Sequence, residues 1–476
     1  MLDQARDAAT QQTAAGYPLV KTIDTSFSFT REEVSVLRAL AWQVAEISQR
    51  PVMAEKARLW TAHNDLQTQQ PLVFIDPENG WNEMIPVHTL RCSDPLARVW
   101  EMALRKQIYW ANVLKDDKVI EPFFDVPYSY TDTGWGVELK KRRTVENGSY
   151  IVEPAVEEFE SVFEKLHHPE IVVDWKESEL LMQMAHSVFD GILTVRRKNT
   201  WWWTLGLCWD YVDLRGMENF MCDFLLEPEW AERMLDLLCE GKLHMLDFLE
   251  ENGLLAQNTG GTYTGSGGFG FTRQIAPVEG RHVVTGDMWG FCESQETAQV
   301  SPEIYRDFIF PRHKRILERF ALSCYGCCEP YDPRWEYVRQ LPHLRKVSVS
   351  PWANWATVPE FLGQDYIASI KPSPTPLATA HMDEDVVRAD CRRAVEQTKG
   401  GVCEFLIHWA VVRIMRAAGW RLCAKRLRGC MAETDGLRKQ YVGSRAQESS
   451  MYCKSRAAGK LRKEPGASPG RPCFLL

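Results

Sequence analysis

The chain lacks the hydrophobic segments that direct a protein to a membrane or anchor it there. Its first residues, 1–7, contain no apolar signal-peptide core, and no run of about 18 uncharged apolar residues occurs in the 476 residues. We therefore expect a cytoplasmic protein without a membrane span. Its 14 cysteines should then remain reduced, most of them as small buried side chains.

Most of the chain also lacks the basic excess that nucleic-acid binding requires. Residues 1–400 carry 41 Lys and Arg against 59 Asp and Glu, whereas residues 401–476 carry 15 against 5. An acidic body argues against nucleic acid as the main partner, since phosphate binding needs a basic face. The basic end loses its strand patterning, and we expect a poorly ordered tail there.

Internal repeats are absent, and short strand-like runs alternate with longer helical patterns across residues 50–405. Thr30 and Glu33 have the spacing of a capping box that opens a helix, and residues 72–75 form a short apolar run typical of a buried strand. Two further helices are predicted over 217–226 and 228–252. The alternation predicts an α/β protein with a parallel sheet.

The length fits a TIM-like (β/α)8 barrel with an N-terminal helical extension, and a doubly wound sheet is the alternative. We divide the chain into a helical extension over residues 1–49, a barrel over 50–408 and a basic tail over 409–476.

Three cysteines within five positions form the densest group of metal-capable side chains. Cys324 and Cys327 have the C-x-x-C spacing, and Cys328 and Glu329 follow directly. A catalytic zinc site needs three protein ligands and an open position. Because no second C-x-x-C exists, a further ligand would come from a distant strand, and Cys403 is the candidate. Buried thiols and a redox pair remain alternatives.

A glycine-rich run over residues 260–271 contains a literal G-x-G-x-x-G at Gly265, Gly267 and Gly270. Pro277 would break the helix that dinucleotide binding requires, so that function is disfavoured. The remaining interpretations are a flexible loop and a loop at the barrel mouth that approaches a ligand. We take Tyr263, Gly267 and Trp289 as candidate cofactor-binding residues.

Asp287 follows an apolar run over residues 283–285. At the carboxyl end of a barrel strand, such a residue would point into the active-site mouth. A turn or helix-capping aspartate is the alternative.

Four segments follow one another in an order that points to a known family. They are residues 228–232, 286–287, 301–305 and the cysteine cluster at 324–329. Over roughly residues 40–405 the chain resembles the uroporphyrinogen decarboxylase superfamily, which includes zinc-dependent corrinoid methyltransferases. The resemblance implies a TIM-like barrel with its site at the C-terminal face.

In the methyltransferase branch, a His-x-Cys pair after a strand and a distant cysteine hold zinc. Here Gly326 stands at the histidine position, Cys328 at the cysteine position, and the distant cysteine falls near Cys403. The missing ligand is left open among Cys324, Cys327 and Glu329.

The resemblance implies a zinc-dependent methyltransferase that moves a methyl group between a small substrate and a corrinoid carried by a partner protein. Asp287 and Glu329 are then candidate catalytic residues. A cofactor-free decarboxylase of porphyrinogen type is the alternative, although the family's arginine-rich signature is missing after Arg50. A non-enzymatic barrel with buried thiols is the third hypothesis.

Overall fold

The computed structural model describes residues 29–68, 70–77, 80–143, 150–377 and 383–408. The predicted tail at 409–476 lies outside the described residues, as does most of the segment before Thr30. None of the helices among the described residues combines the length and the apolar character needed to cross a membrane.

The helix Arg31–Ser48 begins where the sequence places its cap. Thr30 Oγ1 accepts from the Glu33 amide at 3.2 Å and Glu33 Oε2 accepts from the Thr30 amide at 2.9 Å, which confirms the predicted capping box. The helices predicted over 217–226 and 228–252 are confirmed. The α-helices span Arg31–Ser48, Pro51–Asn64, Trp81–Met84, Pro95–Tyr109, Phe159–Val162, Trp175–Phe189, Cys208–Arg215, Met217–Leu226, Pro228–Glu251, Pro302–Ile304, Phe310–Leu317, Trp335–Val338, Val358–Phe361 and Glu384–Gln397.

Shorter helical turns connect these elements. The π-helical turns are Trp110–Leu114 and Tyr305–Ile309, and the 3-10 turns are Val87–Thr89, Phe163–Lys165, Thr285–Asp287, Gln295–Thr297, Asp332–Arg334, Trp355–Thr357 and Thr375–Leu377.

The strands are short, and most of those in the main sheet are fully buried. They are β1 (Leu72–Asp76), β2 (Phe123–Val126), β3 (Ser129–Asp132), β4 (Lys140–Arg143), β5 (Tyr150–Glu153), β6 (Ile171–Asp174), β7 (Thr194–Arg197), β8 (Trp289–Cys292), β9 (Leu322–Tyr325), β10 (Leu344–Val349), β11 (Ile367–Ile370) and β12 (Val402–His408). The run at 72–75 is therefore a strand, as predicted.

Six parallel strands form the main sheet, in the order β1-β12-β11-β10-β9-β8. A second parallel pair joins β2 to β7, and antiparallel pairs join β3 to β6 and β4 to β5. The predicted α/β class with a parallel sheet is confirmed. Among the described residues no strand ladder joins β1 to β2 or β7 to β8, so a closed barrel stays a prediction.

Parallel pairing places the carboxyl ends of the six strands at one edge of the sheet, which we call the carboxyl edge. Glu293 follows β8, Gly326 follows β9, Ser350 follows β10 and Lys371 follows β11. Ligands of parallel α/β proteins bind at this edge because the loops there converge.

One face of the sheet carries a buried ion pair, and we call it the inner face. Lys346 Nζ lies 3.1 Å from Glu404 Oε2, and Ser369 Oγ donates to Glu404 Oε1 at 2.6 Å. Burial opposes ionisation of Glu404, but Lys346 and its hydrogen-bond partners hold the pKa of this carboxyl well below its usual range.

The glycine-rich run covers the inner face at contact distance. The Gly268 amide donates to Glu404 Oε1 at 2.8 Å. A Cβ at Gly267 would lie 2.8 Å from the same oxygen, and a Cβ at Gly268 would lie 2.2 Å from the Trp60 ring. These glycines therefore allow the backbone to approach the protein's own side chains.

Candidate functional site at the carboxyl edge

Two adjacent cysteines stand at the carboxyl edge, and we call them the thiol pair. Gly326 adopts φ = 89° after β9, which turns the chain so that Cys327 packs toward β10. Ser348 Oγ donates to the Cys327 carbonyl at 2.8 Å, and the Cys327 and Cys328 sulfurs are 3.7 Å apart. Cys327 is buried and Cys328 is exposed, so Cys328 is the sulfur that can meet a ligand.

A buried lysine lies beside the thiol pair. Lys371 Nζ is 3.0 Å from the Cys327 carbonyl oxygen and 3.5 Å from its sulfur, and it also donates to Ser266 Oγ. The hydrogen bond with Cys328 and burial raise the pKa of Cys327 well above its usual value, while Lys371 opposes that shift. Cys327 is therefore suited to remain a thiol that donates to Cys328.

Three carboxyl groups lie on the segments that follow β8 and β9. Glu329 Oε1 accepts from the Ser294 amide at 2.8 Å and Oε2 accepts from the Cys327 amide at 2.9 Å, so Glu329 ties together the segments after β8 and β9. Burial, followed by the charges of Glu296, Glu329 and Cys327, raises the pKa of Glu293 well above its usual value. Burial also raises the pKa of Glu296 to about 7. Such groups can hold a proton near neutral pH and give it to a substrate.

A buried arginine holds the loop that carries these carboxyl groups. Arg334 Nη1 donates to Thr297 Oγ1 at 2.8 Å and to Ser294 Oγ at 3.2 Å. Ser294 Oγ also lies 2.8 Å from the Tyr325 hydroxyl. Arg334 is thus occupied by the protein itself, and its role here is to position the loop.

A second set of buried ionisable side chains, one aspartate and two lysines, lies near the end of β1. Asp76 is fully buried, and burial lowers the pKa of Lys106 to about 7 although Asp76 opposes the shift. Lys118 Nζ stands 4.5 Å from the ring centroids of Trp110 and of Phe269, and burial lowers its pKa as well. These lysines bring cationic or neutral amine groups to the interior near the carboxyl edge.

The structure separates the four cysteines that the sequence proposes as zinc ligands. Cys324 lies on the inner face in an apolar cluster with Phe291 and Leu322, and burial raises its pKa to about 12. Cys403 precedes Glu404 on β12, so its side chain lies on the opposite face, where its sulfur is 3.7 Å from the Thr398 carbonyl oxygen.

The distance between the two sulfurs of the thiol pair matches that of two ligands in a zinc site. Two thiolates at about 2.3 Å from a tetrahedral zinc would be about 3.8 Å apart, and the observed separation is 3.7 Å. Within the part of the chain that the structure describes, no group of three or more His, Cys, Asp or Glu side chains is placed to hold a metal ion. A three-ligand protein site is therefore not formed by the described residues.

Asp287 lies at the other end of β8 from the thiol pair. It closes the 3-10 turn Thr285–Asp287 before β8, and Arg281 Nη2 donates to its Oδ1 at 2.8 Å. The hydrogen bond from Arg281 lowers its pKa. The expectation placed a strand before Asp287, whereas the strand begins after it at Trp289. Asp287 therefore lies in a turn, which was the alternative interpretation of this residue.

The three candidate cofactor-binding residues contact the protein interior. Trp289 is buried and its Nε1 donates to the Gly270 carbonyl at 3.0 Å. The Tyr263 ring lies 5.8 Å from the ring of Phe74, and Gly267 packs against Glu404. No helix begins between residues 252 and 284, all of which are described, so the G-x-G-x-x-G run does not lead into a helix.

Sequence reasoning missed Glu293, Glu296 and Lys371. Glu293 and Lys371 directly follow short apolar strands, so correct strand boundaries would have identified both as residues of the carboxyl edge. Glu296 had no comparable signal, because it lies in a 3-10 turn beyond the strand.

Comparison with known proteins finds similarity at the level of structure. No family model matches the sequence, and no curated protein matches it. Among solved structures, a methyltransferase from Methanosarcina mazei is similar, with 12% identity over 78% of this chain and 97% of that chain and a TM-score of 0.44. Membership of the superfamily that the sequence resembles stays a prediction.

Proposed function

We propose that this chain is a methyltransferase that acts on a small substrate at the carboxyl edge. The observation that carries the proposal is the exposed Cys328 sulfur, which lies 3.7 Å from the Cys327 sulfur at the carboxyl edge. Glu293, whose pKa is raised by burial and then by neighbouring charges that include Cys327, follows β8 at the same edge. Methyl transfer requires a nucleophile that attacks the methyl carbon. It often also requires an acid that protonates the atom released from that carbon.

The chain's own residues divide these tasks. Cys327 donates to Cys328 and favours negative charge on the exposed sulfur, and Lys371 adds a positive charge 3.5 Å from Cys327 Sγ. Glu296, with a pKa of about 7, is suited to protonate a leaving oxygen or nitrogen. Glu329 positions the Cys327 backbone relative to the loop that holds Glu296.

Zinc on the thiol pair and a partner protein's corrinoid as the other methyl carrier are the finer parts of the proposal. Zinc, when bound, would supply Lewis acidity that keeps a sulfur deprotonated. A closed (β/α)8 barrel of the uroporphyrinogen decarboxylase superfamily also belongs to the proposal. The strand order supports it, since β8 to β12 pair in sequence order and the last strand lies beside the first.

A direct assay offers methylcobalamin as a free methyl donor and a panel of small thiols as acceptors to the full chain. We expect wild type to demethylate the cobalamin, which changes its visible absorbance, and Cys328→Ser to abolish the reaction. Cys403→Ser is the matched control, because Cys403 lies on the opposite face of the sheet. Equal rates in wild type and Cys328→Ser, or no transfer to any acceptor by folded wild type, would contradict the proposal.

A cofactor-free decarboxylase is the second candidate, and the buried lysines favour it. Lys106, Lys118 and Lys371 bring amine groups toward the carboxyl edge, where a substrate with carboxylate arms would need them. Cys328→Ser and Lys118→Met separate the two candidates. A decarboxylase would release carbon dioxide from a porphyrinogen with or without the Cys328 thiol and would lose activity in Lys118→Met.

A further inference from the structure

A cleft of about 390 Å³ lies beside the antiparallel pair of β3 and β6, at the start of the helix Trp175–Phe189. None of the residues assigned above to the carboxyl-edge site lines it. Its size is in the range of small-molecule binding sites. The chemistry of its walls therefore decides which ligand it could take.

A buried carboxylate with an unpaired acceptor oxygen belongs to a residue that lines this cleft. Glu177 is 6% exposed, and its Oε2 accepts from the Ser129 hydroxyl. Its Oε1 is buried and has no hydrogen-bond partner among the described residues. A buried carboxylate oxygen without a donor is unfavourable, so a ligand that brings an N–H group would stabilise it.

The guanidinium of Arg197 is occupied by other groups of the chain. Arg197 Nη1 donates to the Pro127 carbonyl at 2.7 Å, its Nη2 donates to the Ser178 carbonyl, and its guanidinium lies 4.8 Å from the Tyr128 ring centroid. None of the residues that line the cleft is basic. The acceptor on Glu177 is thus left for a group from outside the chain.

Aromatic side chains supply the rest of the wall. Tyr130 is buried, whereas Trp175 is 56% exposed at the rim. Asp174, which caps the helix through the Glu177 amide at 2.8 Å, adds a second negative charge. Aromatic rings combined with carboxylates and no basic group form an environment that favours cations over anions and over neutral ligands.

We propose that this cleft, which we call the ammonium cleft, binds a small organic ammonium ion. The ion would donate an N–H to Glu177 Oε1 and lay its apolar part against Tyr130 and Trp175. A protonated amine fits better than a quaternary one, because only an N–H satisfies the buried acceptor. The site is separate from the proposed methyl-transfer chemistry and does not depend on it.

Calorimetric titration of the full chain with n-butylammonium chloride tests the proposal, with 1-butanol as the neutral control of equal chain length. We expect binding of the ammonium ion and none of the alcohol. Glu177→Gln should weaken binding about tenfold or more, because a charged hydrogen bond is replaced by a neutral one. Glu179→Gln is the matched control: it removes one carboxylate from the same helix, at an exposed position outside the cleft.

Trp175→Leu provides a second variant if Glu177→Gln fails to fold, since Trp175 is largely exposed and its loss should leave the fold intact. We expect it to weaken binding of the ammonium ion while the circular dichroism spectrum stays unchanged. Equal affinity in wild type and in the folded variants, tight binding of 1-butanol, or no binding of n-butylammonium by wild type would overturn the proposal.

Discussion

Glu296 should make the stability of this protein decrease as the pH rises toward neutrality. Its pKa is raised from 4.5 to about 7, mainly by burial. Between these values the folded chain keeps the proton and the unfolded chain loses it, so the free energy of unfolding falls with rising pH by up to about 1.4 kcal/mol per pH unit.

The variant Glu296→Gln removes this titration. We expect its melting temperature to decline less than that of wild type between pH 5 and pH 7. Burial lowers the pKa of His313 to about 3, and this histidine acts in the opposite direction by favouring the folded state as the pH rises. It is present in both proteins, so the difference between the two curves reports Glu296 together with Glu293, whose pKa the charge of Glu296 raises. Parallel curves would show that Glu296 titrates normally.

At the residue scale, the sequence located the thiol pair but not its surroundings. Cys327 and Cys328 were recognisable because adjacent cysteines are rare and metal-capable. Lys371 was not, because it lies 44 residues from Cys327 along the chain and reaches it only through the pairing of β10 with its neighbours. Contacts of this kind depend on tertiary structure, which a local pattern does not encode.

The glycine-rich run packs closely against buried side chains. A Cβ at Gly268 would lie 2.2 Å from the Trp60 ring, and the ring is itself fully buried. We expect Gly268→Ala to destabilise the fold by about 1–3 kcal/mol, since overpacking of a core moves rigid side chains. Scanning calorimetry of the purified variant would measure the loss.

Gly286→Ala is the matched control for that substitution. Its Cβ would meet nothing closer than the Arg319 carbonyl at 3.8 Å, and its backbone does not have a positive φ. We expect a change within about 0.5 kcal/mol of wild type. Similar losses in both variants would mean that glycine flexibility, rather than close packing on the inner face, governs this run.

At the element scale, helices were predicted better than strand ends. The start of the helix Arg31–Ser48 is determined by two local side chains, Thr30 and Glu33, which form its capping box. Short strands carry less information, and the strand expected before Asp287 begins two residues after it. This shift moves Asp287 from the expected carboxyl end of a strand to the amino end of β8.

The glycine-rich run illustrates a second limit of local reasoning. Its motif suggested either ligand contact or flexibility, and the structure shows neighbouring glycines in contact with Glu404, Lys346 and Trp60. The partners are distant in sequence, with Glu404 lying 136 residues beyond Gly268. The role of these glycines therefore follows from the folded structure and could not be predicted from the local sequence.

At the scale of the whole molecule, the alternation of strands and helices was sufficient to predict a parallel α/β protein. Chirality and the need to bury both faces leave few alternatives once parallel strands alternate with helices. Closure into a barrel requires two further strand contacts, β1 with β2 and β7 with β8, and no ladder of this kind is present among the described residues. Short strands and long insertions give no sequence signal for such contacts.

The parallel sheet also determines which cysteines can act together. It directs the residues after β8, β9 and β11 to one edge, where the thiol pair, Glu293 and Lys371 lie, and it directs Cys403 to the other face. A metal centre, if formed, would therefore involve the thiol pair and exclude Cys403.

Zinc content per chain, measured by mass spectrometry on protein purified without chelator, tests this assignment most directly. The proposal of zinc at the thiol pair predicts about one zinc per chain in wild type and in Cys403→Ser, and a loss of the metal in Cys328→Ser. No zinc in wild type even after zinc is offered, or a loss of the metal in Cys403→Ser with full retention in Cys328→Ser, would contradict a metal-dependent methyl-transfer site at the thiol pair.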